Sequence, residues 1–184
     1  METQSDSSVM RQVQAGEIAQ LAVLFERYHL PLFRYLLHLT ADRPLSEDLT
    51  QEVFFRVLKY AQSFDLSQSF PTWLYQMARN ACFDWRRKRR GEVPDDGVQS
   101  MRSSDPMPEE LFARKQDVLF LRKALRELPE EKRELLVLSR FQGLRHDEIA
   151  RILECEVGAV KVRVYRALKD LRETFCALRG EKAI

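Results

Sequence analysis

The chain predicts an all-α protein, two small helical domains joined by a flexible linker, and three observations lead there. Glycine is scarce, with only six in 184 residues, and helix formers dominate. Apolar residues recur at helical spacing through both halves of the chain. Between the halves, residues 91–108 hold three prolines, several serines and few large apolar side chains, the composition of a linker rather than of a core element. At 45% apolar and 32% charged, the sequence can fill packed cores and still keep a solvated surface around them.

Each element follows from a local signal. From Glu17 to Thr40, Ile18, Leu21, Ala22, Phe25, Leu32, Tyr35, Leu36 and Leu39 mark a helical face, and Pro31 inside the pattern predicts a kink or break. Ala41–Leu45, containing Pro44, reads as a turn, after which Ser46 offers an N-cap for a helix to about Ala61. Pro71 suits a first helical position, and the helix it opens continues into a basic run. The buried face of that helix is Leu74, Met77, Ala78, Ala81, Cys82 and Trp85. Its opposite face interleaves rings with amides and cations: Trp73, Gln76, Arg79, Asn80, Phe83, Asp84, Arg86 and Arg87. Beyond the linker, helices are expected over about Glu109–Glu127, Pro129–Gln142, His146–Glu154 and Val157 to about Leu178. The division is therefore an N-terminal extension at 1–16, a first domain at 17–91, an acidic linker at 92–110, a second domain at 111–178 and a tail at 179–184.

Charge is distributed unevenly rather than in excess. The formal net charge of +2 says little about partners by itself. The run Arg86, Arg87, Lys88, Arg89, Arg90 is followed, from Glu92 to Glu110, by six acids against Arg102 alone. Such a run is either a solvated surface or a nucleic-acid contact, and neighbouring aromatic rings favour the second, since rings beside cations form a stacking platform for unpaired bases. The polar N-terminus lacks the basic start and apolar stretch of a signal peptide, and no run of about 18 apolar residues occurs, so neither export nor membrane insertion is expected. Cys82, Cys155 and Cys176 are odd in number and lie in apolar helical patterns, which fits buried thiols in a reducing compartment such as the cytoplasm. His29, His38 and His146 share no ligand spacing with them, so no metal is expected.

Residues 143–169, GLRHDEIARILECEVGAVKVRVYRALK, have the layout of a helix-turn-helix. Ile149, Ala150, Ile152 and Leu153 give the first helix a core face, Cys155–Gly158 a tight connection, and Val157, Val160, Val164, Leu168 and Leu171 pin the second helix. The side left over carries Ala159, Lys161, Val162, Arg163, Arg166 and Lys169. Small and cationic residues on one side suit entry into a major groove; the plainer reading is a helical hairpin with a solvated basic face.

Three segments taken together, SEDLTQEVFFRVL at 46–58, FPTWLYQMARNACFDWRRKRR at 70–90 and the stretch from Ala124 to Leu171, resemble the extracytoplasmic function (ECF) group of sigma-70 type factors. The resemblance covers about residues 15–178, in order and correctly spaced. It implies a sigma region 2 helical bundle and a region 4 helix-turn-helix, in a protein that carries core RNA polymerase to promoters. The counterparts of Asp48, Gln51 and Glu52, at i, i+3 and i+4 with Phe55 extending their face, would dock on the beta-prime clamp helices. Acids in a first helical turn also favour the helix dipole whatever they bind.

The same resemblance implies that the helix from Trp73 to Arg90 opens the minus-10 element, with Trp73, Gln76, Arg79, Asn80, Phe83, Asp84, Arg86, Arg87, Lys88, Arg89 and Arg90 as its contacts. Melting requires that unstacked bases regain about 1–3 kcal/mol each from stacking. Trp73 could equally be a core anchor. Region 4 would read the minus-35 duplex through Ala159, Lys161, Val162, Arg163, Arg166 and Lys169, while neighbouring surfaces meet the beta flap. Departures from the family pattern fall here: Glu154 replaces a common glycine, Glu156 a serine or proline, Ala159 a threonine and Val162 a serine, and Arg145 and His146 replace serine and tyrosine. They put the minus-35 sequence in doubt. The linker would thread toward the polymerase active site or serve as a plain tether. A separate anti-sigma factor is the expected regulator.

No glycine-rich phosphate loop or Ser/His/Asp grouping is present, so neither an enzyme nor a cofactor is expected. Two other readings compete: a helix-turn-helix regulator acting without polymerase, and a sigma mimic that occupies a partner without reading DNA. Rings beside Arg86–Arg90 oppose the first; Lys161, Arg163 and Arg166 oppose the second.

Overall fold

The computed structural model describes residues 4–89 and 109–180, and the side chains of 4–88 and 116–180. The linker, Arg90 and the last four residues lie outside these, and Arg89 is described in its backbone alone. Among the described residues all regular structure is helical. The first half comprises α1 (Asp6–Gln14), α2 (Leu21–Thr40), α3 (Arg43–Lys59) and α4 (Phe70–Arg89). The second comprises α5 (Glu109–Glu127), α6 (Glu130–Leu136), α7 (His146–Ile152) and α8 (Val157–Arg179).

Helix α1 occupies what the sequence pattern reads as an N-terminal extension, and it belongs to the core. The Ser5 hydroxyl caps it by accepting from the Ser8 N–H at 3.3 Å. Val9, Met10 and Val13 are buried. Arg27 and Tyr28 of α2 hold the Asp6 carboxylate, the arginine at 2.7 Å. The Gln14 side-chain amide donates to the carbonyls of Ala61 and Phe64 at 2.9 and 2.8 Å, tying α1 to the segment before α4.

The break predicted at Pro31 does not occur: α2 runs through it. Proline inside a helix costs about 3 kcal/mol. Leu24 on one side and Leu32, Tyr35, Leu36 and Leu39 on the other bury against one core, and that shared burial outweighs the lost hydrogen bond. Nor does Ser46 cap α3. The helix begins four residues earlier, where Asp42 accepts from the Leu45 N–H at 3.0 Å and Pro44 sits in the first turn, which needs no N–H. Ser46 is buried inside the helix, donating to the Asp42 carbonyl at 2.5 Å. On α4 the predicted core face holds: Leu74, Ala78, Ala81 and Cys82 are buried, and Met77 and Trp85 pack against them. The pattern missed Tyr75, which is buried as well.

In the second half Leu125, Leu128, Leu135, Leu136, Ile149, Ile152, Val160, Val164 and Ala167 form the core. α6 gives way to a widened π turn, Val137–Phe141, closed by the Gln142 N–H on the Val137 carbonyl at 3.0 Å. The α7–α8 connection turns at Glu154, whose φ of 53° is left-handed. Glu156, extended, then opens α8. Of the cysteines expected to be buried, Cys82 is; Cys155 and Cys176 are only half-buried.

The halves share one apolar core cluster and are also joined by polar contacts. Glu134 of α6 is 5% exposed; its Oε1 accepts from the Tyr35 hydroxyl at 2.8 Å and lies 3.3 Å from Arg79 Nε. Glu148 accepts from Ser69 Oγ at 2.7 Å and, with its other oxygen, from the Arg145 N–H at 2.9 Å. The Tyr75 hydroxyl donates to Gln142 Oε1 at 2.6 Å, Gln76 donates to the Arg151 carbonyl at 3.1 Å, and Arg86 pairs with Glu130. The His38 ring packs at a tilt against Phe141, and burial, reinforced by Arg122, Arg126 and Arg133, depresses its pKa.

Tyr35→Phe removes one donor from a buried carboxyl group and is expected to cost about 1–3 kcal/mol in urea unfolding. Glu154→Gly relieves the left-handed turn and is expected to stabilise the fold by about 0.5–1 kcal/mol. A lower urea midpoint for the glycine variant would show that the Glu154 side chain stabilises the turn by more than its backbone strain costs.

Candidate nucleic-acid interface

Three surfaces carry the residues singled out by the sequence. On α3, Asp48, Gln51 and Glu52 are exposed on one side, and Phe55 is 68% exposed beside them. An aromatic ring held in water among acids has no role in the core. Leu58 and Tyr60, which sequence reading passed over, are also exposed and line the same groove with Arg56, Lys59 and Asp84. The i+3 spacing from Phe55 to Leu58 was the available signal for Leu58; Tyr60, just past the end of α3, had none.

The α4 surface is divided. Asn80 is exposed, as are Arg87, Lys88 and Phe83, whose ring lies 4.7 Å from the Arg79 guanidinium. Trp73 is not on open surface: it packs half-buried against Phe64 at 4.8 Å and Phe70 at 6.2 Å, the core-anchor position. Gln76, Arg79 and Arg86 are engaged by the second half, as described above. Asp84 is held between cations, 3.2 Å from Arg56 and 3.1 Å from Arg87, and Arg56 also bonds Glu52 at 2.8 Å. That chain of charges joins the α3 surface to the basic end of α4. The Glu52 and Asp84 carboxylates strengthen the proton affinity of Arg56, Glu52 most.

On α8, Val160, Val164 and Ala167 face the core, and the opposite side is open. Lys161, Val162, Arg163, Arg166 and Lys169 are exposed and Ala159 is half-buried. Lys169 pairs loosely with Glu173, at 3.8 Å. Lys161, Arg163 and Arg166 have no carboxylate partner among the described residues, whereas Arg27, Arg43, Arg56, Arg79 and Arg86 all do. Exposed cations left without internal partners can neutralise phosphates without breaking ion pairs first. Tyr165, absent from the sequence prediction, is 72% exposed on the same side. The helix before this one, α7, is held at the correct end by Glu148, so the pair keeps a helix-turn-helix form despite glutamate at the turn.

Comparison with known proteins agrees with this arrangement. The family model for sigma-70 region 2 matches residues 24–92, and that for sigma-70 region 4 matches residues 121–171. The chain is 32% identical over 165 residues to the ECF RNA polymerase sigma factor SigX of Bacillus subtilis, covering 86% of this chain and 85% of SigX. It is 31% identical to the RNA polymerase sigma factor SigZ of the same organism, covering 86% and 90%. Two solved structures share the fold. CnrH, solved with the cytosolic domain of CnrY, matches with a TM-score of 0.70 and 22% identity over 95% of this chain and 97% of that one. RpoE of Bartonella quintana, solved with the anti-sigma factor NepR, matches with a TM-score of 0.67 and 24% identity over 82% and 92%. The chain belongs to the ECF group of sigma-70 factors, alternative sigma factors that direct transcription initiation by RNA polymerase.

Proposed function

We propose that this sigma factor acts purely by binding, in the cytoplasm: Asp48, Gln51, Glu52 and Phe55 on core polymerase, the α4 surface on the minus-10 strand, and α8 on the minus-35 duplex. The observation that carries the reading is the pairing of two separate open surfaces, an exposed Phe55 among acids and the cations Lys161, Arg163 and Arg166, which have no carboxylate partner among the described residues. A regulator without polymerase has no use for the first, and a mimic without DNA has none for the second. Within α4 the duty falls on Asn80, Phe83, Arg87 and Lys88, with Gln76, Arg79 and Arg86 joining once the second half moves away; Trp73 positions them from the core.

The halves must separate for both DNA elements to be read. The elements lie about 25 base pairs, some 85 Å, apart along the duplex at about 3.4 Å per pair. A compact chain of 184 residues is only about 40 Å across. An anti-sigma factor is the expected regulator, supported by the solved complex of RpoE with NepR.

Reconstitution with core polymerase tests the assignment. The chain is expected to give promoter-specific transcripts, and failure to bind core at all would remove the sigma role. Phe55→Ala is expected to weaken core binding by about 2 kcal/mol, measured by titration of labelled protein, without changing its unfolding midpoint. Asn80→Ala should slow open-complex formation, followed by permanganate reactivity, while duplex binding stays within twofold; equal losses in both would place the melting residues elsewhere.

A further inference from the structure

Over its first three turns the side of α8 turned away from the core is apolar at its centre, and a charge, Lys169, enters that sector only one turn further on. At about 100° per residue, Gly158, Val162, Tyr165 and Lys169 share the sector opposite Val160, Val164 and Ala167. Val162 is 49% exposed and Tyr165 is 72% exposed. Nothing inside the protein explains either: neither packs against the core, and a β-branched residue in water is a poor choice for a helix surface. Gly158 is equally unexplained from within. A Cβ built there meets no atom within 4 Å and its φ is an ordinary helical one, so neither space nor backbone conformation calls for glycine in the first turn of α8. Glycine, valine and an aromatic ring in a row form a smooth apolar strip, with Lys161 on one side and Arg166 on the other, neither with a carboxylate partner among the described residues.

This arrangement suits one occupant. Flanking cations match the two phosphate ridges of a groove, and what an apolar strip meets on the floor of a major groove is the 5-methyl of thymine. Glycine at the helix start lets the backbone come close to the duplex. Resting on α8 as the duplex-reading helix, we propose that Val162, with Tyr165 beside it, selects a thymine in the minus-35 element by apolar contact with its methyl group, where a serine would have offered a hydrogen bond. Arg166, adjoining the strip, is placed for a base edge or phosphate, and Arg163, further round the helix, for a phosphate.

The test uses the full chain with core polymerase. Preferred duplexes are first selected from random-sequence DNA, and each thymine of the minus-35 element is then replaced singly by deoxyuridine, which deletes only the methyl. One replacement is expected to weaken binding about fourfold, the worth of one buried methyl-sized group. Val162→Ser removes both methyl groups and leaves a hydroxyl; with an unchanged unfolding midpoint, it should shrink that ratio toward one. Equal binding of thymine and uracil duplexes at every position, or a ratio untouched by Val162→Ser, would overturn the methyl contact while leaving α8 as the reading helix. Recovery of no preferred minus-35 sequence would overturn both.

Discussion

A carboxyl group that is taken out of water must find partners, and Glu134 finds both of its partners in the other half of the chain. At 5% exposure it would carry a penalty of several kcal/mol if left alone. Tyr35 and Arg79 remove that penalty, and in doing so they fix where α6 sits over α2 and α4. Further hydrogen bonds and ion pairs cross the contact, from Ser69 to Glu148, Tyr75 to Gln142 and Arg86 to Glu130, beside an apolar core cluster that both halves share. Hydrogen bonds and ion pairs can be exchanged for water or nucleic acid at small net cost, so the apolar part of the contact sets most of the cost of separating the halves.

Charge also runs along the first half in a connected series. Glu52, Arg56, Asp84 and Arg87 link the acidic surface of α3 with the basic end of α4. Each of these pairs is at least partly exposed and contributes little alone. Their value is geometric. They hold the long side chains at both surfaces in defined places before any partner arrives, which lowers the ordering cost of association.

Much of this was legible from residue order. The periodic core faces of α4 and α8 emerged because a helix with one buried side must repeat every three or four residues, as Leu74, Ala78 and Cys82 or Val160 and Val164 do, although Val157, read as part of the α8 face, is 48% exposed and Ala167, which is buried, was not read there. Misreadings came where a local rule met a tertiary one. Pro31 is a breaker in isolation, yet burial on both sides of it carries α2 through. Ser46 looks like a cap, but Asp42 reached the free N–H groups first and Pro44 filled the turn. Trp73 and Arg79 share a face with Asn80 on the helical wheel, but neighbouring elements cover them, and no periodicity within α4 reveals what lies over it. The open surfaces of α3 and α8 were easier because no element lies over them; Tyr165 escaped notice only because its spacing was read for cations.

The stitching of α1 bears on how the chain is made. Residues 6–14 leave the ribosome before their partners do: Arg27 and Tyr28 for Asp6, and the carbonyls of Ala61 and Phe64 for Gln14. Until those arrive, Val9, Met10 and Val13 have no apolar surface to cover them. The first half therefore closes as a unit only after about α3 has emerged, and a tag or truncation at the amino end acts on the last stage of its closure rather than on a dispensable tail.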